Sequence, residues 1–171
     1  MSKAALKKAL KEQDRESLAQ IILEIYEKRP EAKEYFEFWL NPDAQAELEK
    51  FKKKIFKLFF ISDGKPRRSP DFTEIKKLIK YFLSYGVDPE LSSDLLLYLC
   101  EQYLIWMDLR RFITSHFTRL DKFIAEAKVY VESHLLEDLF SIRIERMERI
   151  RDELAERADR SSSWGWRRRR W

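Results

Sequence analysis

Three stretches of this chain carry residue types that could do chemistry. The first is Lys65, Pro66, Arg67, Arg68, Ser69 and Pro70, where cations stand just before a helix start. The first backbone N–H groups of a helix lack internal partners, so a phosphate there would meet fixed charges and amide donors together. Only Gly64 supplies local freedom and no glycine cradle shapes such a site, so the run also reads as a solvated basic loop. The second stretch is Trp164, Gly165, Trp166, Arg167, Arg168, Arg169, Arg170 and Trp171. Arginine beside tryptophan can grip an anionic membrane surface, or stack on and pair with single-stranded nucleic acid. The alternative is a tail whose Trp164 and Trp166 dock back on the helices. In the third stretch, residues 51–60, Lys52, Lys53, Lys54 and Lys57 interleave with Phe51, Phe56, Phe59 and Phe60. A basic amphipathic helix can lie on a membrane or along a phosphate backbone. Equally, the aromatics can be core and the lysines a solvated face.

Other chemistry is absent from the letters. The sequence has no glycine-rich phosphate loop, no HExxH pair, no paired cysteines and no Gly-x-Ser-x-Gly elbow. His116 and His134 lie 18 residues apart, with no carboxylate spacing that would define a metal site, and read as partly buried or surface histidines. Cys100 sits in an apolar run and reads as a small buried hydrophobe. A lone cysteine forms no internal disulfide and suits a reducing cytosol. We therefore expect no catalytic residue, no cofactor and no metal. The amino terminus has Lys3, Lys7 and Lys8 without a following apolar region, which does not read as a signal peptide. The longest apolar run, residues 95–100, falls far short of the roughly 20 residues of a membrane span. These observations place the chain in the cytoplasm.

The net charge of +4 equals the four terminal arginines, so the body is neutral overall. Within it the charges are sorted. Residues 50–68 hold Lys50, Lys52, Lys53, Lys54, Lys57, Lys65, Arg67 and Arg68 against Asp63 alone. Residues 87–109 hold Asp88, Glu90, Asp94, Glu101 and Asp108 and no base. Such polarity could steer an anionic partner, or it could be compensation between neighbouring helices.

The elements that must position these residues are helices. With 3 Gly and 5 Pro in 171 residues there is too little turn chemistry for a many-stranded sheet. The fold class expected is all-α, a bundle or helix-pair array of about seven to eight helices. One domain is expected over 1–160, with a Ser-linked tail over 161–171 in which Ser161, Ser162 and Ser163 form a flexible joint. Ser2 and Asp14 cap the first two helices, and Leu18, Ile21, Ile22 and Ile25 form a core face on the second. Pro30 permits a break, and Asn41 with Pro42 opens a fourth helix with the stripe Leu48, Phe51, Ile55, Leu58 and Phe59. Phe56 and Phe60 fall partly off that stripe. Asp71 helps to open a fifth helix that Gly86 closes as a left-handed cap, and Asp88 with Pro89 opens a sixth, central helix, apolar on more than one side. Leu120, Phe123, Ile124, Ala127, Val131 and Leu135 mark a seventh, and an eighth runs from about Leu136 to Ala158 with Arg and Glu paired along its outer face.

The order of these elements resembles a bacterial family catalogued as domain of unknown function 6155. The likeness rests on the opening SKAALKKAL, on LAQIILEIYEKRPEAKEYFEFWLNP, on KPRRSPDFTEIKKLIKYFLSYGVDPELSSDLLLYL and on Trp164, Gly165 and Trp166. The resemblance implies a compact helical protein of no established activity and transfers no catalytic residue. It implies that Trp164 and Trp166 pack on the domain. The extension from Arg167 to Trp171 departs from the family pattern.

Three functions follow as expectations. The first is a non-enzymatic helical scaffold that binds an unknown protein partner. The second is a nucleic-acid phosphate-backbone binder using Lys54, Lys57, Lys65, Arg67 and Arg68 with Arg167, Arg168, Arg169 and Arg170; a membrane surface gripped by the tail ranks below it. The third is an enzyme with a composite acidic site, which needs several acids converging in one pocket.

Overall fold

The computed structural model describes residues 2–110 and 114–167, by backbone alone at 114 and from 161 onward. Its described residues form eight α-helices, one 3₁₀ turn and no strand, so the chain is all-α. The residues expected to form one domain divide by their internal contacts into two compact units, Met1–Asp43 and Ala44–Trp171.

The first unit holds α1 (Lys3–Lys11), α2 (Arg15–Lys28) and α3 (Pro30–Leu40). Its boundaries follow from side-chain chemistry. The Ala5 amide donates to Ser2 Oγ at 3.2 Å, and the Ser17 amide donates to Asp14 at 2.8 Å, each pairing an orphan donor of a first turn. Arg29 is extended and Pro30 takes the first position of α3, where its missing N–H costs nothing. Asn41 closes α3 as its C-cap and α4 begins only at Ala44, so Asn41 is not the opening cap expected of it. α2 packs against α3, and Tyr26 Oη donates to Glu37 at 3.4 Å. None of the described residues in this unit is buried. The core face expected from Leu18, Ile21, Ile22 and Ile25 is corrected accordingly: Ile22 and Ile25 are each 45% exposed. Three short helices hold too little chain to enclose a core of their own.

The second unit holds α4 (Ala44–Phe59), α5 (Phe72–Ser84), α6 (Pro89–Leu109), the 3₁₀ turn (Thr114–His116), α7 (Phe117–Ser133) and α8 (Glu137–Arg167). α6 is its axis and packs against α4, α5, α7 and α8. Leu95, Leu97 and Leu99 step round that helix by roughly 200° at a time, and all three are buried. Tyr103, Trp106 and Met107 are buried with them. Of the stripe expected on α4, Leu48, Phe51, Ile55 and Phe59 are fully buried and Leu58 is partly buried against them. Phe60 is buried just past the helix end, while the half-exposed Phe56 stacks on it with centroids 4.8 Å apart. Asp71 caps α5, Gly86 takes φ +64° after it, and Asp88 caps α6 ahead of Pro89.

Two sequence expectations fail near α8. Its backbone continues as helix through the three serines to Arg167, where a flexible joint was expected; serine in a helix interior costs only a few tenths of a kcal/mol, too little to break a long helix. Leu135 was expected on the core stripe of α7 but lies in the left-handed region at φ 58° and is 85% exposed. The Leu136 amide donates to Val131 O at 3.0 Å and the Leu135 amide to Glu132 O at 3.1 Å, the paired bonds that end a helix through a left-handed residue. Glycine normally fills that position because a Cβ there is strained. Leu135→Gly therefore removes strain without giving up burial, and urea denaturation should show a gain of about 0.5–1 kcal/mol; a loss would mean the side chain is stabilising after all.

Candidate functional site

The basic loop and the charged faces of α4, α6 and α8 share the second unit, and most of their charge is already engaged. Lys50 pairs with the buried Glu47 at 2.8 Å. Lys52 reaches Asp94 at 2.8 Å and Glu49 at 3.1 Å. Lys54 Nζ sits 4.9 Å from the centre of the Phe51 ring, while Lys53 and Lys57 are exposed. In the loop, Lys65 pairs with Asp63 at 2.6 Å.

Arg67 is the loop's fastening. Its Nε donates to the Lys57 carbonyl at 2.6 Å, filling one of the orphan acceptors in the last turn of α4. Its own amide donates to Phe59 O at 2.8 Å, and its carbonyl accepts from Trp106 Nε1 at 2.8 Å. The residue expected to bind anions thus ties the loop to α4 through its side chain and to α6 through its carbonyl. The amide donors expected at the start of α5 are likewise taken, because Asp71 Oδ1 accepts from Thr73 and Glu74, both at 3.0 Å. Arg68 is exposed beside them. The structure brings Lys57 and Arg67 together through the main chain. Arg167 closes α8, and Trp164 and Trp166 lie in its last turns, with no side chain described at any of the three. Arg168, Arg169 and Arg170 lie outside the described residues, as does any docking of the tryptophans.

Asp94, Glu101 and Asp108 of α6 find their partners on the flanking helices. Arg143 of α8 forks onto Glu101 at 2.7 and 2.9 Å and reaches Asp94 at 2.5 Å, where Lys52 of α4 meets it. Asp108 pairs with Arg157 at 3.0 Å. Burial pushes the Asp94 carboxyl up, but hydrogen bonds and charge from Lys52 and Arg143 outweigh it and hold the group below the usual carboxylate range. Of the two readings of the sorted charge, compensation between neighbouring helices is what these pairs display.

Sequence reasoning missed a second polar cluster. Tyr103 Oη lies 2.6 Å from His116 Nδ1, and the imidazole also packs on Trp106 and Phe72. Burial pushes the tyrosine up to about 12, so the phenol stays neutral, and its O–H also reaches the His116 carbonyl at 3.4 Å. Burial, and then the charge of Arg119, lowers the His116 pKa. The signal for this pairing was a buried tyrosine on α6 needing a polar partner, but the partner sits beyond a break in helical structure. His134 is exposed at the end of α7. Cys100 is fully buried, as its apolar run implies, and burial pushes its thiol up. No group of three His, Cys, Asp or Glu residues that could hold a metal ion occurs among the described residues. No described helix is long and apolar enough to cross a membrane.

The chain belongs to a family of unknown function (DUF6155), whose family model matches residues 1–162. The match spans both units and stops short of the terminal arginines. No curated protein and no solved structure matches the chain.

Arg143 holds two acids of α6 at once. Arg143→Met leaves both without their guanidinium partner, and chemical denaturation should register a loss of about 2–3 kcal/mol; a loss below about 0.5 kcal/mol would show that Lys52 alone suffices. His116 sets a pH dependence. Its folded pKa is depressed from the ordinary 6.5, so its contribution is whole above that value and drains away as pH falls through the folded one. Between about pH 7 and about pH 5 the wild-type urea midpoint should fall more steeply than that of His116→Gln; parallel slopes would assign the dependence elsewhere.

Proposed function

We propose that this member of the family is a non-enzymatic helical scaffold that binds a protein partner, and that it docks that partner through α2 and α3. What carries the reading is the apolar surface of the first unit. Ile22 and Ile25 are joined in exposure by Leu23 at 60%, Trp39 at 67% and Leu40 at 65%. Several large apolar side chains on two neighbouring helices form the kind of surface that monomeric proteins rarely leave in water. Tryptophan and isoleucine at helical spacing also supply the anchors of helix-mediated binding. The second unit gives the scaffold its rigidity through the buried axis of α6. We place this activity in the cytoplasm, in keeping with a single cysteine that is held as a buried thiol.

Nucleic-acid binding stands second. Exposed Lys53, Lys57 and Arg68 favour it. Lys50, Lys52, Lys65 and Arg67 count against it, since each already has an acid or a carbonyl to satisfy.

The test uses the full chain and the double variant Ile22→Glu, Ile25→Glu. Because neither side chain is buried, circular dichroism should be unchanged. Wild type should co-purify with a defined protein in fixed proportion, and the variant should lose it by at least about tenfold, the effect of removing two interface anchors. Equal recovery by both proteins would sink the docking assignment. Retention on nucleic acid that collapses as salt rises would instead promote the second reading.

A further inference from the structure

Away from both candidate regions, a cleft of about 300 Å³ opens between α5 and the first turns of α7. Lys76 enters it from α5, and Arg119 and Lys122 from α7. Among the described residues none of these three cations forms an ion pair, in contrast to the paired lysines of α4. The Arg119 guanidinium carbon sits 4.3 Å from the centre of the Phe72 ring, and Lys76 Nζ sits 5.9 Å from the centre of Phe123. Contacts of this kind hold a cation in place without neutralising it. Three like charges gathered round one concavity repel each other until an anion joins them.

The rest of the wall suits the same occupant. Ser115 and Thr118 bring hydroxyls to the cleft. α7 starts directly after the 3₁₀ turn, so the positive end of its dipole lies beside Ser115 and Thr118. One acid also lines the cleft, Glu126, one turn along α7 from Lys122 and two from Arg119. A carboxylate has no use for a bare anion, but it accepts a hydrogen bond from a hydroxyl. The volume is several times that of a phosphate group alone, which leaves room for a small organic part.

We propose that this cleft binds the phosphate monoester of a small hydroxylated molecule, with Lys76, Arg119 and Lys122 on the phosphate and Glu126 on a hydroxyl. A monoester carries close to two charges on one group near neutral pH, which matches cations that converge. A nucleic-acid backbone spreads single charges along a line and calls for cations set out along a face.

Isothermal titration calorimetry on the full chain at about 0.1 M ionic strength tests this, with glycerol 3-phosphate, inorganic phosphate and chloride as probes. One saturable site should appear for glycerol 3-phosphate, with inorganic phosphate weaker and chloride silent. Lys76→Gln and Lys122→Gln, both exposed and so harmless to the fold, should each weaken binding roughly tenfold, and Lys80→Gln should not. Glu126→Gln should narrow the gap between the organic and inorganic ligands. The proposal is overturned by any of four results: no saturable heat up to about 10 mM ligand, equal affinity in Lys122→Gln, an equal response to chloride, or displacement of the monoester by a short oligonucleotide at lower concentration.

Discussion

A helix that is apolar nearly all the way round has to be covered nearly all the way round, and α6 imposes that demand on the whole second unit. Its leucines, Tyr103, Trp106 and Met107 point in too many directions for one neighbour to bury, and α4, α5, α7 and α8 surround it. At roughly 1.5–3 kcal/mol for each fully buried large side chain, enclosing this one helix outweighs any single cap or ion pair in the unit. The acids it carries then become a constraint on the neighbours. A carboxylate such as Asp94, half-buried between packed helices, is tolerable only with a cation beside it, and α4 and α8 supply Lys52 and Arg143 at that level.

The same demand explains how the most basic loop is fastened to the helices on either side of it. Trp106 is buried but carries an N–H that must be satisfied, and the acceptor is the carbonyl of Arg67. Arg67 then gives its Nε to the end of α4 and its amide to Phe59. A residue engaged at three points of its own backbone and side chain is committed to the fold.

Much of this was legible in the letters, for physical reasons that differ by element. The caps at Ser2, Asp14, Asp71 and Asp88, the left-handed Gly86 and the stripe of α4 all rest on contacts between near neighbours in sequence, and each stands where local chemistry puts it. Family membership was legible too, in the stretches quoted from within residues 1–162, while Trp164, Gly165 and Trp166 lie beyond the match. The failures are equally instructive. The α2 stripe has the right period for a core face, but periodicity shows only which side of a helix is apolar, and whether enough chain surrounds it is a separate question. Leu135 matches the α7 period too, yet the helix stops before it because the chain must turn into α8.

Charge was the least legible property, because pairing is settled across dozens of residues of sequence. Counting lysines between 50 and 68 marks that region as the cationic one, but Lys52 meets Asp94 and Arg67 meets a carbonyl, so the count overstates what remains to attract a partner. The reverse holds on α7. Arg119 and Lys122 sit in a stretch with Asp121 and Glu126 that looks neutral, and only the approach of α5 adds Lys76 while Asp121 turns away to Arg151. Removing one acid from the group and adding one base converts a balanced run into a cationic cleft. The functional charge of a helical protein is thus the remainder after its helices have paired, and that remainder depends on which faces the burial of α6 brings together.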